Sequence, residues 1–249
     1  MINLVNFNSL HFPLSQAYSF TNYIRRRKSS LAANFKLRCD FTSVPFYTQK
    51  YLFIHITKCG GTYFKSRIVD PSVCFRSGHN ITFHSALPFQ KLVFILRDPL
   101  ERFISSFYSR LAYSMNTSTA LSVRDAKFYQ LYPTINDYVR SLSGNVAEQK
   151  RLLLNTLRYH DHFAMWGSYF DYFPRNIIAQ IKQRSHILRH SNLNSDISSF
   201  ASSFSLNLSE DSSPKRQSPP ILPKLDSSLI DFMIHQLRDE YSFYNSLVS

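Results

Sequence analysis

Lys58, Gly60, Gly61 and Thr62 follow directly on an apolar run, in the order Tyr51-Leu-Phe-Ile-His-Ile-Thr-Lys58-Cys-Gly-Gly-Thr62. The chemistry these residue types offer is anion binding. Two glycines let the backbone curl until successive amides converge, the lysine adds a mobile positive charge, and a threonine in the first turn of a following helix donates its hydroxyl to the same oxygens. Cys59 belongs to the same turn. Nearby positive charge would lower its thiol pKa, and the plainer reading is a small filler. A second set, Arg97, Asp98, Pro99 and Ser105, follows the apolar run Leu92 to Leu96. An arginine fork with a serine hydroxyl suits a terminal phosphate. Between the two sets lies Ser77-Gly78-His79-Asn80-Ile81-Thr82-Phe83-His84. Histidine is the side chain whose ordinary pKa suits a general base near neutrality, and a structural role is the alternative for His79.

Elements of definite type must hold these residues. Tyr51 to Ile56 and Leu92 to Leu96 read as buried strands, with a further strand expected between about Cys74 and Phe83. The first strand, loop and helix run from Tyr51 to about Val69. Pro99 is suited to the first turn of a helix, and Leu100, Phe103, Ile104, Phe107, Tyr108 and Leu111 then recur at helical spacing. Ile135, Tyr138, Val139 and Leu142 mark another helix, with Val146, Leu152, Leu153 and Leu157 more loosely spaced. Ser205 to Leu222 is rich in serine and proline and reads as a surface loop, before one final helix from Asp226 or Ser227. Strand, helix, strand order predicts an α/β fold with a mostly parallel central sheet flanked by helices. Both phosphate-type sets would stand at carboxyl ends of strands, where such sheets bind ligands.

The triphosphate-binding loop places its lysine after the glycines, whereas here Lys58 precedes them. The order resembles instead the 5′-phosphosulfate loop of sulfotransferases, which take sulfate from 3′-phosphoadenosine-5′-phosphosulfate (PAPS). Arg97, Asp98-Pro99 and Ser105 are similar to the 3′-phosphate motif of the same enzymes. The resemblance is to the carbohydrate branch that includes heparan 2-O-sulfotransferase and chondroitin or dermatan sulfotransferases. It is specific from about Tyr51 to Tyr113 and diffuse beyond. Asn192 stands where the family has an acid in its Glu-x-Leu segment, while Asp239 to Tyr244 is similar to the family's Asp-Tyr-x-x-Tyr ending. The resemblance implies a P-loop-like three-layer fold and PAPS as donor co-substrate without a metal. It implies donor binding by Lys58, Cys59, Gly60, Gly61, Thr62, Arg97 and Ser105, catalysis by Lys58 and His79, and a glycan or other hydroxyl acceptor. His84 is the second choice of base. Arg76 and Lys91 are basic neighbours for the acceptor, and Lys215-Arg216 for the donor, with a solvated charge pair the plainer reading of the latter.

The chain has 249 residues and a formal net charge of +13, with Lys and Arg scattered apart from Arg25-Arg26-Arg27-Lys28. One domain over residues 51–249, preceded by a basic extension over residues 1–50, fits that length. The charge favours anionic partners: the donor, an acidic glycan or nucleic acid. A nucleic-acid-binding protein without catalysis and a nucleotide-dependent kinase are the competing readings. The first lacks a recognised binding module, and the second lacks an acidic partner for its loop. Three cysteines without a Cys-x-x-Cys pair indicate neither a disulfide scaffold nor a zinc ribbon. His160 with His162, and His186 with His190, have ligand-like spacing but no completing acid or cysteine, so no metal is expected. His55 reads as a hydrogen-bonded core residue. No stretch reaches the ~20 apolar residues of a membrane span, leaving peripheral membrane contact open. A cytoplasmic location is expected, with organelle targeting by the acid-free amino terminus or Golgi-type membrane association as alternatives. Three Asn-x-Ser/Thr triplets are compatible with chance in so Asn- and Ser-rich a chain.

Overall fold

A computed structural model describes residues 49–75, 81–116, 120–145, 147, 168–209 and 224–249. Four parallel strands form one sheet: β1 (Tyr51–Ile54), β2 (Val73–Cys74), β3 (Lys91–Leu96) and β4 (Ser185–Arg189), in the order β2-β1-β3-β4. The helices are α1 (Gly61–Arg67), α2 (Pro99–Asn116), α3 (Ala120–Leu131), α4 (Ile135–Ser143), α5 (Ile178–Arg184), α6 (Leu193–Phe204), α7 (Ser227–Gln236) and α8 (Arg238–Val248). The expected α/β class with a parallel sheet is what the chain adopts.

Side-chain alternation along each strand accounts for the two covered faces. Tyr51 and Phe53 of β1, in register with Lys91 and Val93, share a face with His186, and Phe64 of α1 and Phe200 and Phe204 of α6 pack there. Phe94, opposite Ile54 and Ile187, faces the other way onto Phe173, which stacks on Phe243 of α8. Every residue of β1, and all of β3 except Lys91, is buried. Continuous apolar runs of this kind are what a sheet covered on both faces requires.

A second core lies among helices. Phe103 and Phe107 of α2 meet Phe128 and Tyr129 of α3, Tyr138 of α4, and Leu229 and Met233 of α7. All four apolar positions expected on α4 are buried, and Thr134 opens that helix with a reciprocal cap to Asp137. Residues 146 and 148–167, which include Leu152, Leu153, Leu157, His160 and His162, lie outside the described residues.

Three expectations need correction. Of the strand expected between about Cys74 and Phe83, the described residues show the two-residue β2, ending at Cys74, and a 3-10 turn over Phe83–Ser85 capped by Thr82 and Ser85, while residues 76–80 lie outside the described residues. The single carboxyl-terminal helix is two, α7 and α8, because Leu237 leaves helical geometry at φ −96°, ψ 13°. His186 and His190 are not one turn apart on a helix: the first is in β4 and the second opens a 3-10 turn (His190–Asn192). The basic extension through residue 48, Arg76, and Lys215-Arg216 also lie outside the described residues. Among the described residues no helix is long and apolar enough to cross a membrane.

Candidate functional site

From β1 the chain moves to β2 on one side, whereas β3 pairs on the other, so the strand order reverses between β1 and β3. A reversal of this kind leaves a crevice at the carboxyl ends of the strands, where ligands bind in open α/β sheets. The Lys58 loop follows β1 and the Arg97 turn follows β3. Two motifs 39 residues apart are in direct contact there, Arg97 Nη1 donating to the Lys58 carbonyl at 3.4 Å.

The loop has an unusual backbone. Lys58 has φ +63° and Gly60 φ +88°, and Lys58 and Ser205 are the non-glycine residues with positive φ among those described. Lysine pays a steric cost in that region which glycine avoids, so a lysine retained there points to a role for its side chain. The glycines are required for reasons beyond curling the backbone. A Cβ on Gly61 would lie 2.2 Å from His55 Cδ2, and one on Gly60 would lie 2.7 Å from Leu193 Cδ2 and 3.4 Å from His190 Cδ2. Two imidazoles therefore border the glycines closely. Thr62 is exposed on the first turn of α1, whereas the Cys59 side chain turns inward, its Sγ 3.6 Å from the Thr57 carbonyl. Cys59 as a whole is buried, and burial pushes its thiol pKa up, outweighing the lowering by Arg102 and Arg97. The filler reading of this cysteine is the one the structure supports.

Asp98 explains why Asp-Pro follows β3. Its carboxylate accepts the amides of Leu100 at 2.9 Å and Glu101 at 3.0 Å, capping α2 while Pro99 takes the first helical position. Tyr241 of α8 donates to the same oxygen at 3.1 Å. Arg97 also bonds Glu101 at 3.4 Å, so its guanidinium is held over the loop.

Arg102 is 4% exposed, with Nε 3.0 Å from the Thr57 carbonyl and Nη2 3.2 Å from Thr57 Oγ1. One turn further on the same side of α2, about 60° round the helix, Ser105 is 1% exposed. Its Oγ has no hydrogen-bond partner among the described residues. A buried hydroxyl without a partner in protein is unusual and fits a ligand oxygen.

One turn of chain secures both motifs. Tyr169 hydroxyl accepts the Arg97 amide at 3.2 Å and donates to the Arg97 carbonyl, while Tyr172 hydroxyl accepts the Thr57 amide at 3.2 Å. The Tyr169 ring lies under the Arg102 guanidinium, 4.8 Å from it. Glu240 of α8 is buried and accepts from Ser168 Oγ and from the Tyr169 amide at 2.9 Å. Burial raises its pKa, with Arg102 opposing the shift. Burial likewise raises the Tyr169 pKa, keeping that hydroxyl protonated and able to donate.

Lys58, Cys59, Gly60, Gly61, Thr62 and Arg97 thus follow the carboxyl ends of β1 and β3, and Ser105 lies on α2 beyond Arg102, which bonds Thr57. His79 lies outside the described residues. His84 is exposed in a turn whose Phe83 amide donates to the Tyr172 carbonyl and whose Phe83 ring lies under Arg184. Lys91 stands at the amino end of β3 and donates to the Gln183 carbonyl, at the sheet edge opposite the loop. That position sets it at the other end of β3 from Arg97, whereas the sequence reads it as a basic neighbour for the acceptor. Sequence reasoning gave no role to Arg102, Tyr169, Tyr172 or Glu240, and weighed His190 only for a metal site that it did not expect. The Arg102 signal was present as a charge on the buried side of α2. No family model, curated protein or solved structure matches this chain.

Proposed function

We propose that this chain is a PAPS-dependent sulfotransferase acting on a hydroxyl of a glycan or glycoconjugate, with a P-loop-like three-layer fold. The observation that carries the reading is the contact between the Lys58 loop and the Arg97 turn at the reversal of strand order. Two further features fit the donor. The glycines of the loop are bordered by His55 and His190, and the Ser105 hydroxyl, without a partner among the described residues, lies one helical turn beyond Arg102.

The donor supplies a sulfuryl group on a phosphate leaving group. The acceptor oxygen bonds to sulfur as the bridging S–O bond breaks, its electron pair leaving with adenosine 3′,5′-bisphosphate, as in the in-line geometry of phosphoryl transfer. Lys58 is assigned to the charge that grows on the bridging oxygen, where an ammonium counts for more in the transition state than before it. Arg97 and Ser105 are assigned to the 3′-phosphate, and Gly60, Gly61, Thr62 and the Cys59 backbone to the 5′ side. His79 is assigned to the acceptor's proton. No step requires a metal.

Transfer of radiolabelled sulfate from PAPS to a panel of glycans and small alcohols tests the activity. A thermal shift with adenosine 3′,5′-bisphosphate tests the site. Label should appear on at least one hydroxyl acceptor and the melting temperature should rise. Neither result, together with salt-dependent binding to random DNA, would replace this reading with nucleic-acid binding.

A further inference from the structure

His190 has a position that no role assigned so far uses. The register of β3 with β4 ends at Leu96 opposite Arg189, so Arg97 and His190 are the next residues beyond two neighbouring strands. The ring is half-buried, and its edge borders Gly60: a Cβ there would lie 3.4 Å from His190 Cδ2 and 3.9 Å from Nε2. No group among the described residues hydrogen-bonds to either ring nitrogen. A half-buried imidazole with free nitrogens, between the glycine turn and an arginine, is placed to meet whatever anion those groups hold.

We propose that His190 is a further ligand of the bound anion, uncharged while the loop is free of anion and more readily protonated once a phosphate ester occupies the Arg97 side of the crevice. The inference rests on the donor-site reading above and names one more of its ligands. The charged and titratable groups of the surrounding elements are few. Arg97 extends from β3 and is paired with Glu101 of α2, Lys58 and Cys59 belong to the loop, and Asp98 caps α2. Arg189, beside His190, is paired with Asp196 of α6, and Tyr244 approaches the same edge from α8. Each carboxylate in this set is engaged by a cation or by backbone amides, so burial and Arg97 dominate. They lower the His190 pKa to about 4, leaving a neutral ring at physiological pH.

A multiply charged phosphate reverses both effects. It takes up the Arg97 charge and places negative charge within a few ångströms of the ring. An opposite charge at that range raises a histidine by ~1–3 units, and a rise of about two units would bring the ring near pH 6. Binding then takes up a proton, so anion affinity increases as pH falls from the bound-state pKa toward the free-state value. With values of about 4 and 6, the gain between pH 7 and pH 5 is roughly tenfold.

Two measurements on the full chain test this. The first follows the His190 ring resonance, identified by its loss in His190→Asn, across pH without ligand, with adenosine 3′,5′-bisphosphate and with inorganic pyrophosphate. The second takes the dissociation constant of adenosine 3′,5′-bisphosphate for His190→Asn relative to wild type, so that the ligand's own titration near pH ~6 cancels. A resonance whose midpoint rises with ligand, and a ratio growing about tenfold from pH 7 to pH 5, support the proposal. A shift with pyrophosphate but no binding of the adenosine ligand keeps His190 as an anion ligand and removes the PAPS reading. Binding with an unmoved midpoint, or no binding of either anion, overturns the role of His190.

Discussion

Replacing Ser105 by alanine is expected to move stability and ligand affinity in opposite directions. Its Oγ is buried and without a partner among the described residues. Leaving a buried hydroxyl unpaired costs ~1–3 kcal/mol of desolvation. Alanine removes that penalty and opens a void smaller than a methyl group, worth under ~1 kcal/mol. The net effect on the free protein is a gain on the order of 1 kcal/mol, or about 2–4 °C in Tm for a domain of roughly 200 residues. If the same hydroxyl donates to a bound 3′-phosphate, its loss removes about 1 kcal/mol or more of binding, at least ~5-fold in Kd. Thermal denaturation with and without adenosine 3′,5′-bisphosphate gives the first quantity. Calorimetric titration with that ligand and with adenosine 5′-monophosphate gives the second. A Ser105→Ala protein that melts several degrees lower and binds both ligands as wild type does would show that the hydroxyl supports the fold, and the assignment of α2 to the 3′-phosphate would fall.

Arg97→Ala should weaken adenosine 3′,5′-bisphosphate by ~1.5–3 kcal/mol, more than Ser105→Ala, while leaving adenosine 5′-monophosphate nearly unaffected; calorimetry with the two ligands checks the ratio. Its stability should change little, because among the described residues the side chain makes two long hydrogen bonds at 3.4 Å and Tyr169 holds the Arg97 backbone independently. Lys58→Ala should abolish transfer and leave the melting temperature close to wild type, since alanine carries the same left-handed backbone strain at φ +63°; turnover and circular dichroism decide it. His79→Ala should lower turnover ~10²- to 10⁴-fold with donor affinity retained, and His84→Ala, at an exposed position, should do much less. Loss of turnover in His84→Ala alone, with the pH limb near neutrality intact in His79→Ala, would exchange the two roles.

The two motifs were legible in the sequence because each is local. Strand, glycine turn, lysine and threonine lie within a dozen residues, and an apolar run ending in Arg-Asp-Pro announces a strand followed by a capped helix. Periodicity likewise placed the buried faces of α2 and α4, since spacing of 3.6 residues needs only the immediate chain to be read. What holds the motifs in contact is not local. Tyr169 meets Arg97 across 72 residues, Tyr172 meets Thr57 across 115, and Glu240 meets Tyr169 across 71. Buried polar groups must find partners somewhere, but the identity of the partner depends on which elements the sheet order brings together. The same holds for His190, an unremarkable residue in the sequence that the pairing of β4 with β3 sets beside Arg97 and Gly60. Sequence alone marked the residues whose types suit an anion. The parallel order β2-β1-β3-β4 decided that they face one crevice, because only that order stacks the ends of β1, β3 and β4 side by side at the ~4.8 Å spacing of paired strands.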